Sequence, residues 1–179
     1  MAGAVTVVRL IRLTLLLVLL VVLQTTIVPH LRVAGVVPDL GLVAAVAMAV
    51  RYGPELGASF GFAAGLATDL FLQTPLGLAA LAFALTAYAV GRLQNSLVRP
   101  AWWVRPAIGA GAGVLAGLLF VGFGAVVGQD QLFALHSVRT ILLAAVYDGV
   151  VALVIFPLAI SVADPRTGDP RGATGYSPS

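Results

Sequence analysis

The sequence predicts an all-α integral membrane protein of about six transmembrane helices, and three observations carry that reading. Of 179 residues, 60% are hydrophobic and only 9% charged, against about 25% charged in ordinary soluble domains. A hydrocarbon core about 30 Å thick takes about 20 apolar residues per helix, so six spans use about 120 residues and leave only short connections. The charge-free stretches are separated by Gly, Pro and Arg clusters at intervals that fit such spans. One membrane domain over 1–163 is therefore expected, followed at 164–179 by a disordered cytoplasmic tail rich in Pro, Gly, Ser and Thr.

The spans are expected at about 8–29, 36–50, 54–72, 75–92, 106–128 and 139–162. Leu13–Val28 is free of charge and follows Arg9 and Arg12. That arrangement also describes a signal peptide, but no small-x-small cleavage pattern follows it, so it reads as an uncleaved first helix. The second span is interrupted at Pro38-Asp39. Its charge-free part, Leu40–Val50, reaches only about 16 Å as helix, so it must begin near the interface, be kinked, or be buried among other helices. Pro54 and Pro75 suit the first turns of the third and fourth helices, where a missing N–H costs nothing. Trp102-Trp103 reads as an interfacial anchor before the fifth helix. Pro157 should kink the sixth.

All ten basic residues are Arg. With the N-terminus inside, Arg9, Arg12, Arg51, Arg92, Arg99, Arg105, Arg166 and Arg171 fall in the cytoplasm, and only Arg32 and Arg139 outside. That bias places both termini in the cytoplasm. No nucleic-acid surface is implied.

Catalytic chemistry finds no foothold. There are no cysteines and only two histidines, His30 and His136, too few for a metal centre of three or four converging ligands. No nucleophile–base set, phosphate loop or metal-binding His-Glu motif is legible. No enzyme, cofactor, metal or small-molecule substrate is expected.

What the chain does carry is glycine at helical spacing. Gly53, Gly57, Gly61 and Gly65 precede Asp69 at four-residue steps, and Gly109, Gly113 and Gly117 repeat the pattern in the fifth helix. Small residues so placed let helix backbones approach closely in lipid. Four residues slightly exceed one helical turn, so the row drifts around the helix by about 40° at each step. A steep crossing or two different neighbours is therefore required. Packing within the chain and contact with a second chain are both open. Three acids, Asp39, Asp69 and Asp148, lie in or beside the apolar segments, where charge is costly. Asp39 and Asp69 fall near the outer interface and can be solvated there, and Asp39 can also cap its helix. Asp148 is deeper, and burial or a hydrogen bond to a neighbouring helix is expected of it.

The ordered landmarks resemble a known family. Leu23-Gln24-Thr25-Thr26 closes the first helix and Pro38-Asp39-Leu40 opens the second. Arg51-Tyr52-Gly53 follows, then Gly57, Gly61-Phe62, Gly65-Leu66 and Asp69. Pro75-Leu76-Gly77, Ala80-Leu81 and Tyr88 with Gly91-Arg92 complete the set. Their order and spacing across 23–92 are similar to those of the rod shape-determining protein MreD family. The resemblance implies a non-enzymatic scaffold of the bacterial cell-wall elongation machinery in the cytoplasmic membrane, regulating peptidoglycan synthesis. It implies as partners an MreC-type protein and, through it, MreB, RodA and a penicillin-binding transpeptidase. It also implies a fold similar to the substrate-binding subunits of energy-coupling-factor transporters. From that kinship comes the alternative function, a vitamin-like solute-binding subunit with Asp39, Asp69 and Gln73 as candidate ligands.

Overall fold

The structure, a computed structural model, describes residues 2–31, 35–71, 76–93, 103–127 and 135–163. Among them are six α-helices: α1 (Ala2–Thr26), α2 (Leu40–Tyr52), α3 (Pro54–Phe71), α4 (Leu78–Leu93), α5 (Val104–Val126) and α6 (Leu135–Ala163). A short 3-10 turn, Val28–Leu31, follows α1. The expected tail from Asp164, the loop holding Trp102, and Gln73 and Pro75 lie outside the described residues.

The core is built on α2. Every position from Leu40 to Ala49 except Gly41 is buried. Only Leu40, Leu42 and Met48 among them are as large as leucine, so neighbours can pack on every side. A helix of 13 residues is about 20 Å long, well short of a hydrocarbon core. Its burial among α3, α4, α5 and α6 answers the constraint noted at Pro38-Asp39: the short helix is wrapped by protein. The helices on its flanks form two antiparallel pairs, α3 with α4 and α5 with α6, and α1 lies along the edge with far fewer contacts to the rest.

Outward faces are apolar all around. Val18 and Val22 of α1, Phe62 and Leu66 of α3, Leu81 and Leu85 of α4, Leu118 of α5, and Val146 and Val150 of α6 are all exposed. By length and composition, Val104–Val126 and Val138–Ala163 are each sufficient to cross a membrane, and Leu10–Thr26, Leu40–Tyr52 and Leu78–Leu93 are shorter apolar helices. α6 continues through Pro157 as a single helix.

Several helix bounds differ from the sequence reading, and at two of them a glycine is the cause. Gly53 is not a rung of the third helix. It has φ +100° and ends α2, its N–H donating to the Ala49 carbonyl, a backbone conformation that side-chain-bearing residues avoid. The fourth helix begins at Leu78, three residues beyond Pro75, because Gly77 at φ +100° breaks the helical path just before it.

Candidate functional site

The described residues hold no group of three metal-binding side chains. The polar chemistry inside the bundle instead serves helix ends, at two junctions.

The first junction lies where α3 ends and α4 begins. The glycine row meets two neighbours in turn, as its drift around the helix requires. A methyl group on Gly57 would collide with the backbone of Ala49 in α2. At Gly61 it would lie 2.9 Å from the Phe83 carbonyl oxygen of α4 and 3.2 Å from the Ala45 side chain of α2. At Gly65 it would lie 2.5 Å from both the Ala79 carbonyl oxygen and the Ala80 Cα. By the next step the row faces the first turn of α4, and the residue there is Asp69. Its carboxylate accepts the N–H groups of Gly77 at 2.8 Å, Ala79 at 3.0 Å and Ala80 at 3.2 Å.

These are the orphan donors of a helix start, which a Ser, Thr, Asp or Asn at the cap would ordinarily satisfy. Gly77 occupies the cap position and has no side chain to offer, so the preceding helix supplies the acceptor. Asp69 is therefore not solvated at an interface; it is 1% exposed. The positive end of α4 stabilises it there.

The second junction is the start of α2. Gln24 of α1 bridges the interruption: its side-chain amide donates to the Pro38 carbonyl at 3.0 Å, and its amide oxygen accepts the Leu40 N–H at 3.1 Å. Asp39 caps the helix, its carboxylate accepting the Leu42 N–H at 3.3 Å, which was one of the two roles open to it. The Asp39 N–H donates to Asp148 of α6 at 2.7 Å. Asp148 is 3% exposed, and the room for its carboxylate is made by Gly113. A methyl group there would stand 2.7 Å from Asp148 Oδ2 and 2.8 Å from the Ala145 Cα. Gly109 and Gly117 face Ala152 and Ile141 of the same helix. Both glycine rows thus face helices of their own chain.

Gln24 is legible in the sequence only as a landmark residue. The signal that could have found its role is a lone amide in an otherwise apolar helix, with an interrupted helix start still to come.

A cavity of about 330 Å³ opens beside this second junction, between α1, the start of α2 and α3. Asp39 lines it. Asp69 does not, being turned onto α4, and Gln73 lies outside the described residues, so the three solute-binding candidates are not brought together.

Residues 5–162 match the family of rod shape-determining protein MreD. The chain belongs to that family. As an MreD-family protein it is a non-enzymatic component of the machinery of cell shape and elongation, a helical membrane protein whose buried acids Asp69 and Asp148 accept backbone N–H groups at helix starts. No curated protein and no solved structure matches the chain.

Proposed function

We propose that this MreD-family chain crosses the cytoplasmic membrane six times, with both termini in the cytoplasm, and scaffolds the elongation complex through an MreC-type protein. MreB, RodA and a penicillin-binding transpeptidase are then reached through that partner. The family match over nearly the whole chain carries the functional part. The six-span part rests on the apolar outer faces of α1 and α3 to α6, together with an arginine bias of eight against two. Backbone that is broken at membrane depth is tolerated only where protein or water satisfies it, and Gln24 and Asp148 supply that satisfaction for α2.

Depletion in a rod-shaped host should give rounded cells, with rescue by this chain and co-purification of the MreC-type protein. Rods that persist after depletion, with no complex recovered, would overturn the reading. The chain has no cysteine, so single cysteines can report its topology directly. His30→Cys and Leu76→Cys should label from outside intact cells, and Leu93→Cys and Trp103→Cys only after permeabilisation.

A further inference from the structure

The crevice between α1 and α3 is divided into two cavities that share Leu17. The upper, about 330 Å³, runs from Leu17 to Thr25 along α1; the lower, about 500 Å³, runs from Leu10 to Leu17. Each follows α1 for seven or eight residues, about 11–12 Å, close to the depth of one leaflet of a hydrocarbon core about 30 Å thick. The upper volume already reaches the lower end of ligand-sized pockets, about 300–1,000 Å³.

The polar atoms of both cavities share one character. In the upper, Thr25 and Thr68 donate their hydroxyl protons to the Val21 and Ala64 carbonyls of their own helices, and Gln24 is committed to Pro38 and Leu40. What remains for a ligand is acceptor oxygen: two hydroxyls and the Asp39 carboxyl. In the lower, Thr14 and Ser59 donate to the Leu10 and Glu55 carbonyls, and the free group is the Glu55 carboxylate. Among the described residues, no basic side chain lines either cavity. The described lining offers no donor to favour a purely anionic head group, whereas an ammonium finds acceptors and one acid at the end of each cavity away from Leu17.

We propose that the α1–α3 crevice is a lipid site for an amine-headed phospholipid, phosphatidylethanolamine. Each half takes an acyl chain of one lipid from its own leaflet, and Asp39 and Glu55 select the ammonium. The inference rests on the membrane reading above, and its test does not use cell shape or the partner complex, so the two fail separately.

The test is native mass spectrometry of the full chain, purified from vesicles holding equal phosphatidylethanolamine and phosphatidylglycerol. The wild type should retain phosphatidylethanolamine over phosphatidylglycerol by about fivefold. Ala67→Phe, which fills the upper cavity, should lower retained lipid of both kinds. Glu55→Gln should narrow the preference with total lipid unchanged, and it leaves the α2 junction untouched if Asp39→Asn does not fold. An unfolding temperature at the wild-type value shows that each variant is intact. Equal retention of the two lipids by the wild type would overturn the proposal. So would unchanged binding in Ala67→Phe, or a co-purified protein segment crosslinked within the crevice in place of lipid.

Discussion

The α3–α4 pair and the α5–α6 pair use the same parts to different ends. Each has a glycine row on one helix, and each has one buried aspartate, Asp69 or Asp148, that accepts backbone N–H groups at the start of another helix. In the first pair the row leads to the acid along one helix, and the acid is saturated with three donors from the very helix that the glycines touch. In the second, the acid sits across from the row, in the space left by Gly113, and reaches out of the pair to a single donor on α2. The first is a self-contained hairpin. The second is a brace for the central helix. The contrast shows that a small-residue row creates room, and that the polar group placed beside the room decides what it is for.

The largest effect should come from removing the saturated acid. Asp69→Ala orphans two buried donors and one half-buried one at about 1–3 kcal/mol each, and should lower stability by about 3 kcal/mol or abolish recovery of folded protein from detergent extracts. Asp148→Ala orphans one and should cost about 1–3 kcal/mol. Equal losses in thermal unfolding would erase the distinction between hairpin and brace.

Next come the rows themselves. Gly65→Ala places a methyl group against the backbone of two successive α4 residues, Ala79 and Ala80, and overpacking of that kind costs about 1–3 kcal/mol. Gly117→Ala meets only the Ile141 side chain, which can shift, so its loss should be smaller in the same measurement. In complementation of rod shape, Gly61→Leu should fail where Ala63→Leu, at an exposed position, succeeds. The smallest effect has the opposite sign. Gly111 has nothing within 4 Å of an added methyl group, so Gly111→Ala should stabilise α5 by up to about 1 kcal/mol through helix propensity alone.

Much of this was legible in the chain. Apolar run length gave the helices, four-residue glycine spacing gave the rows, and the drift of that spacing left a steep crossing or two different neighbours, of which the structure has the second, α2 and then α4. Pro38-Asp39 marked the irregular helix and a capping role for Asp39. The partners of the buried acids were not legible, for a physical reason. Capping is read locally, from the residue at the cap, and here the acceptors come from eight to eleven residues upstream for α4 and from 109 residues downstream for α2. A hint existed at α4, whose start, Gly77-Leu78-Ala79-Ala80, has no capping side chain of its own. Gly53 misled because its spacing continues the row, while its backbone ends a helix.

The junction at α2 also has a consequence for the order of synthesis. The ribosome delivers Gln24 before α2 and Asp148 only with α6, so the Asp39 N–H waits through α3, α4 and α5 for its acceptor. A nascent chain stopped before α6 therefore carries an unfinished central helix, and α6 completes the bundle from the inside. Quality control that surveys unsatisfied backbone would find its target there until α6 is in place.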